Sequence, residues 1–128
     1  MHVLLINGSP HEKGCTYTAL SLVAGELNAA GITTEILNVG TKPVGGCIGC
    51  GGCAKGNGCV FGGVVNEAIE KARTADAFVF GTPVHYASAS GNMTSFLDRL
   101  AYAGGKYLAY KPAAICASAR RAGTTATL

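Results

Sequence analysis

Short apolar runs alternate along the chain with longer segments in which apolar residues recur every three or four positions. The runs predict β-strands at residues 3–6, 75–81 and 112–117, and an alternating segment rich in β-branched residues predicts another at residues 33–39. The longer segments predict helices from about residue 16 to Gly31, over residues 64–73, and along the stripe Met93, Phe96, Leu97, Leu100 and Ala101. The first and third strands lack polar alternation, which is typical of strands buried on both faces.

Strands and helices that alternate throughout a chain favour a parallel, doubly wound α/β sheet, here in a single domain over residues 1–128. Ligands of such sheets bind at the carboxyl ends of the strands, near the point where the strand order reverses. Three loops leave those ends, at residues 8–15, 82–90 and 118–123. We therefore expect the binding residues in these loops.

Composition narrows the functions open to such a domain. The chain has 128 residues, of which 48% are hydrophobic and 13% charged, and this excludes a disordered protein. The net charge of +3 is small and its Lys and Arg residues are scattered, which argues against a nucleic-acid partner. No apolar run is long enough for a membrane span and no signal peptide precedes Val3, so we expect a cytoplasmic protein whose six cysteines are reduced.

The first loop has the features of an anion-binding site. A buried strand leads into a loop of small residues, and an amphipathic helix begins near Thr16. Backbone N–H groups and the helix dipole attract negative charge at such a point, and Ser9 and Thr16 add hydroxyl donors. This favours a bound phosphate. The alternative is an ordinary turn between strand and helix in which a serine caps the helix.

A glycine-rich segment at residues 40–63 contains four of the six cysteines. Cys47, Cys50, Cys53 and Cys59 have the spacing C-x2-C-x2-C-x5-C, and the interleaved glycines allow a short backbone to direct four thiolates at one small inorganic group. The spacing favours a [4Fe–4S] cluster. Three alternatives stay open: a zinc site, which usually has a longer gap between its cysteine pairs, a redox pair of thiols, and a loop that binds nothing.

Three motifs in this order resemble those of the flavodoxin-like NAD(P)H-dependent FMN reductases. They are Asn7-Gly8-Ser9-Pro10 with Gly14 and Thr16, Thr82-Pro83-Val84-His85-Tyr86, and Ser90-Gly91 with Phe96-Leu97-Asp98-Arg99. The cysteine segment is similar to that of the family's iron–sulfur flavoprotein branch. The resemblance implies a sheet in the order 2-1-3-4-5 with FMN at the strand ends. It also implies NAD(P)H or an electron-carrier protein as donor, a small-molecule or protein acceptor, and homodimers or homotetramers.

The resemblance also assigns residues to the FMN site. The family binds the FMN phosphate at the positions of Ser9, His11, Cys15 and Thr16, the flavin ring along Pro83, Val84, His85 and Tyr86, and the ring's other edge at Ser118, Ala119, Arg120 and Gly123. His11 and Cys15 are departures, because the family often has Arg and Asn there, and they leave the phosphate fewer side-chain partners. A cation such as Arg120 would stabilise the reduced flavin.

The family continues beyond the fourth strand, so we expect that this chain lacks the C-terminal strand and helix, or that a partner subunit covers the sheet edge. Other residues receive structural interpretations. Asp98 and Arg99 are predicted to make helix-end or subunit contacts, Cys116 to lie in the core, and Tyr102, Tyr107 and Tyr110 to surround a glycine-rich turn.

The functional hypothesis is an FMN-dependent oxidoreductase in which the flavin, and no catalytic side chain, carries the chemistry. The alternative is a non-enzymatic, flavodoxin-like electron carrier or a metal-binding module on the same fold. A flavodoxin carrier would be strongly acidic, whereas this chain is slightly basic. That charge favours the enzyme.

Overall fold

A computed structural model describes all of residues 1–128. The strands are β1 (His2–Asn7), β2 (Thr33–Asn38), β3 (Ala77–His85), β4 (Ser88–Ala89) and β5 (Ala113–Ser118). The helices are α1 (Cys15–Ala29), α2 (Val64–Thr74), α3 (Gly91–Leu108) and α4 (Thr124–Thr127), and a 3-10 turn spans Gly52–Lys55. None of the helices has the length and apolar character that crossing a membrane requires.

Four strands form a parallel sheet in the order β2-β1-β3-β5. β5 is the fourth strand predicted from the sequence, so the predicted order 2-1-3-4 is confirmed. β1 lies in the middle, where Leu5 pairs with Ile36 of β2 on one side and with Val79 of β3 on the other. The carboxyl ends of the parallel strands therefore meet at one edge of the sheet.

The predicted loop at residues 82–90 is partly a β-hairpin. β3 continues to His85, and β4 pairs with it antiparallel, with Val84 opposite Ala89. The two turn residues, Tyr86 and Ala87, both have left-handed backbone conformations, with φ of 49° and 59°. Two-residue hairpin turns of this kind usually contain Asn or Gly. The sequence Tyr-Ala therefore gave no reason to predict a hairpin here.

Helices cover both faces of the sheet, and alternate residues of β1 point to opposite faces. Leu4 and Ile6 belong to the larger core, together with side chains of α2 and α3. Val3 and Leu5 belong to the smaller core, together with Leu20 of α1. All five side chains are buried, which explains why β1 shows no polar alternation.

β5 is less buried than the other parallel strands. Ile115 is 56% exposed, and Cys116, which the sequence predicts in the core, is only half-buried against the smaller core. β5 pairs with β3 along one side, and no other strand pairs with its second side. This unpaired edge accounts for the exposure of its residues.

Gly104 and Gly105, which the sequence predicts in a turn, lie inside α3. α3 packs against α2 at Gly104, where an added Cβ would lie 2.8 Å from Cγ1 of Ile69. An added Cβ on Gly105 would meet no atom within 4 Å. Because glycine at position 104 lets the two helices approach, tertiary packing outweighs the low helix propensity of the pair.

We predict opposite effects for two neighbouring alanine substitutions in α3. Gly105→Ala should stabilise the fold by about 0.5–1 kcal/mol, because alanine favours a helix interior over glycine. Gly104→Ala should destabilise it by about 1–3 kcal/mol, because the new methyl group overlaps Ile69. Urea denaturation measures both changes, and equal free energies of unfolding for the two variants would contradict the helix packing described.

Candidate functional site

The side chain of Asn7, which is fully buried, organises the carboxyl edge of the sheet. Its Nδ2 donates to the carbonyl of Glu12 (3.3 Å) and to Oδ1 of Asn38 (2.8 Å). Its Oδ1 accepts the N–H of Ser9 (3.1 Å). One amide group therefore joins the end of β1, the end of β2 and the loop at residues 8–14. The protein itself holds this loop in shape.

The same loop leads into an uncapped helix N-terminus. Gly14 precedes α1 and no side chain caps the helix, so its first-turn N–H groups have no side-chain acceptor. Gly40, just after β2, lies close against the loop, because an added Cβ would be 2.3 Å from the carbonyl oxygen of Gly8 and 2.4 Å from that of Ser9. The loop and the helix N-terminus together form a preformed site for an anion.

The side chains predicted to bind the phosphate are divided between buried and exposed positions. Ser9 is buried, and its Oγ accepts the N–H of His11 (3.1 Å). Thr16 is buried, and its hydroxyl lies 2.7 Å from that of Ser118, which the sequence predicts at the flavin edge. His11 and Cys15 are exposed. The structure thus brings Thr16 and Ser118 together and leaves the anion site formed mainly by backbone.

The hairpin of β3 and β4 lines two open cavities at this edge of the sheet. One, of about 270 Å³, is lined by Gly8, Pro10, His85, Ser90, Gly91 and Asn92. The other, of about 490 Å³, is lined by Val84, Tyr86, Ala87, Arg120, Arg121 and Ala122. Gly123 packs on the hairpin, since an added Cβ would lie 2.9 Å from Cγ1 of Val84. Among the residues predicted to face the flavin ring, Val84, His85, Tyr86 and Arg120 line one or the other cavity, and Pro83, Ser118, Ala119 and Gly123 line neither.

All four cysteines of the segment at residues 40–63 line one apolar cavity of about 140 Å³. Phe61 and, from α3, Arg99 and Tyr102 line it as well. The four sulfur atoms do not form a closed metal-binding group in this structure. The structure therefore arranges the predicted ligands around one cavity without drawing their thiols together.

Cys59 is held by both of its backbone polar groups and by its sulfur atom. Asn66 in the first turn of α2 accepts the Cys59 N–H at Oδ1 (2.8 Å) and donates from Nδ2 to the Cys59 carbonyl (3.0 Å). Nε of Arg99 donates to Sγ of Cys59 (3.2 Å). Burial raises the pKa of the Cys59 thiol, but the N–H of Phe61 and the hydrogen bond and charge of Arg99 outweigh it, so the pKa lies below its ordinary value. These contacts favour the thiolate, which is the form that binds metals.

A second asparagine fixes the beginning of the segment. Oδ1 of Asn92, near the start of α3, accepts the N–H of Val44 (3.1 Å). Its Nδ2 donates to the carbonyls of Gly40 (2.8 Å) and Lys42 (3.1 Å). Asn92 therefore both lines the cavity of about 270 Å³ and anchors the cysteine segment.

Arg99 is the residue of this site that sequence analysis missed. The sequence predicts it in helix-end or subunit contacts, but it lies in the middle of α3 and is only 6% exposed. The sequence position of Arg99 could have shown that it is buried, because it follows Phe96 by three residues and so lies on the apolar face of the helix. A charged residue on a buried face indicates a specific partner, which here is the cysteine segment.

Comparison with known proteins identifies relatives along the whole chain. The profile of the family described as NADPH-dependent FMN reductase matches residues 1–128. An iron-sulfur flavoprotein of Archaeoglobus fulgidus is 33% identical over 99 residues, which are 77% of this chain and 48% of that protein. An iron-sulfur flavoprotein of Methanocaldococcus jannaschii is 30% identical over 99 residues, which are 77% of this chain and 51% of that protein. The chain thus spans about half the length of these curated relatives.

Solved structures with the same fold are more distant in sequence. RosB, crystallised with 8-demethyl-8-formylriboflavin-5'-phosphate, superposes with a TM-score of 0.76 at 17% identity, covering 99% of this chain and 55% of that one. An NAD(P)H:quinone oxidoreductase from Methanothermobacter marburgensis superposes with a TM-score of 0.72 at 20% identity, covering 93% and 64% of the two chains. At these identities the superpositions establish the flavodoxin-like fold.

We predict that Asn7→Leu destabilises the protein by about 2–3 kcal/mol, because it leaves the buried N–H of Ser9 without a partner and also removes the bonds to Asn38 and Glu12. The control is Asn28→Ala, which removes one exposed hydrogen bond, 3.0 Å long, to the hydroxyl of Thr34 and should cost less than about 1 kcal/mol. Chemical denaturation compares the two variants. Similar costs for both would mean that Asn7 does not organise the loop.

Proposed function

Because the chain belongs to the NADPH-dependent FMN reductase family, we propose that it is an FMN-dependent oxidoreductase. It takes reducing equivalents from NAD(P)H, or from an electron-carrier protein, and passes them by way of FMN to a small-molecule or protein acceptor. A homodimer or homotetramer is the assembly that the resemblance to this family implies.

The observation that carries the proposal is the preformed anion site beside two open cavities at the carboxyl edge of the sheet. The backbone of residues 8–14 and the first turn of α1 suit the phosphate of FMN, since they offer N–H donors without a competing side-chain cap. Residues of the hairpin, among them Val84, His85 and Tyr86, suit the ring, because they line the two cavities next to that site.

Bound FMN supplies an acceptor for hydride that can also release electrons one at a time. The chain's own residues bind and orient it. His85 of the hairpin lines one cavity, and Arg120 and Arg121 line the other. Positive charge there favours an anion in the cavity, which suits both the negative charge that the ring acquires and an anionic donor such as NAD(P)H.

We further propose that Cys47, Cys50, Cys53 and Cys59 hold a [4Fe–4S] cluster. Four thiols around one cavity are a suitable donor set, and the Arg99 cation beside them suits an anionic group. The names of the two archaeal relatives, both iron-sulfur flavoproteins, support this assignment. A bound cluster supplies single-electron relay between a carrier and the flavin site.

We expect FMN to bind at least about tenfold more tightly than riboflavin, because only FMN has a phosphate for the charge-assisted bonds of the loop. Quenching of flavin fluorescence measures both affinities. NADPH or NADH should then bleach the visible band of bound FMN without oxygen. Bleaching by dithionite but by neither nucleotide would indicate the electron-carrier alternative, and equal affinities for FMN and riboflavin would contradict the phosphate site.

Serine substitutions test the cluster ligands. Cys47→Ser, Cys50→Ser, Cys53→Ser and Cys59→Ser should each lose most of the iron that the wild-type chain takes up on anaerobic reconstitution with iron and sulfide, because each removes a thiolate ligand. Cys15→Ser and Cys116→Ser are the matched controls and should retain iron. The measurement is iron per chain in each variant. Stoichiometric zinc and no iron in the wild-type chain would contradict the cluster and indicate a zinc site instead.

A further inference from the structure

Arg99 combines burial, positive charge and contact with the cysteine segment. We propose that Arg99 is a positioning residue: its guanidinium fixes both ends of the cysteine-rich segment and supplies the positive charge that offsets four thiolate ligands. The charge half of this proposal rests on the proposed cluster. The anchoring half does not.

Arg99 has no carboxylate partner. Arg99 is 6% exposed, yet none of the four ion pairs in the structure involves it. Its neighbours are carbonyl oxygens, the sulfur of Cys59, and the ring of Phe61, whose centroid lies 5.3 Å from the guanidinium carbon. Because no carboxylate offsets this buried cation, the chemistry of the site calls for negative charge on the neighbouring sulfur and in the adjoining cavity.

The guanidinium fork of Arg99 reaches both sides of the cysteine motif. Nη1 donates to the carbonyl of Gly45 (3.4 Å), before the first cysteine of the segment, and Nη2 donates to that of Gly62 (2.9 Å), after the last. Nε donates to Sγ of Cys59 (3.2 Å). One planar group with three fixed directions thus joins the entry, the exit and one ligand, which a lysine ammonium could not do in the same geometry.

The cysteine segment is held mainly by polar contacts with side chains of α2 and α3, and only slightly by burial of its own side chains. Ile48, Val60 and Phe61 are more than half exposed, so the segment contributes few side chains to the core. Cys59 and Val44 are the half-buried exceptions that pack against it. The fixed conformation of the cysteine segment therefore depends on a few polar contacts, and Arg99 makes three of them.

The test compares Arg99→Gln, which removes the charge, with Arg99→Lys, which keeps the charge and removes the fork. Arg73→Gln is the matched control, since Arg73 pairs with Glu70 on the surface of α2. Circular dichroism selects variants that fold. Hydrogen exchange of the iron-free protein measures how firmly the segment is anchored. It is followed at two amides: that of Cys59, which donates to Asn66, and that of Gly62, which donates to the Cys59 carbonyl. Iron content and the cluster's midpoint potential measure the effect of the Arg99 charge on the cluster.

Both Arg99 variants should exchange the two amides at least about tenfold faster than wild type, since each loses the fork. Arg99→Gln should also take up less than about half the wild-type iron, and its remaining cluster should have a more negative potential, because a nearby cation favours the reduced state. Arg99→Lys should keep the potential close to wild type. Arg73→Gln should change none of these readouts.

Wild-type exchange rates in both variants would overturn the anchoring role, and an unchanged potential in Arg99→Gln would overturn the role of the charge. If neither glutamine nor lysine allows folding, Arg99→Met supplies the same exchange measurement with the length of the side chain retained. If the wild-type chain takes up no iron, the proposed cluster and the charge role fail together, while hydrogen exchange still decides whether Arg99 anchors the segment.

Discussion

The parallel pairing of β1 with its two neighbours is the constraint on which the rest of the structure depends. β1 is bonded on both sides and buried on both faces, so its direction fixes the edge at which the loops after β1, β3 and β5 gather. Asn7, the last residue of β1, gives that edge a defined shape, because its one amide bonds to Asn38 at the end of β2 and to Ser9 and Glu12 in the loop at residues 8–14. The loop proposed to bind the FMN phosphate therefore obtains its shape from the sheet and needs few specialised side chains of its own.

Helix α3 connects this edge with the cysteine segment. Ser90, its N-cap, donates to the carbonyl of Gly8 (2.7 Å), and Asn92 lines one of the cavities proposed for the flavin. Arg99 lies seven residues beyond Asn92, about 10 Å along the helix axis at 1.5 Å per residue, and reaches the cysteine cavity. One rigid helix thus carries anchors for both proposed redox sites and fixes their separation.

The sequence was sufficient for the sheet but not for the polar contacts that shape the site. The pattern of apolar residues predicted the four parallel strands, because burial leaves a clear pattern, and the resemblance to the FMN reductases supplied their order. The hairpin at Tyr86 and Ala87 was missed because its left-handed turn lacks the usual Asn or Gly. Gly104 was placed in a turn because its role, close contact with Ile69, comes from a distant part of the chain. Arg99 and the pairing of Thr16 with Ser118 were missed for the same reason.

The measurement that tests the account most directly is a visible absorption spectrum of the anaerobically purified protein, with FMN, iron and zinc assayed on the same sample. We predict the two-banded spectrum of a flavin on a broad iron–sulfur shoulder, with one FMN and about four irons per chain. A colourless sample that contains neither flavin nor iron would contradict it.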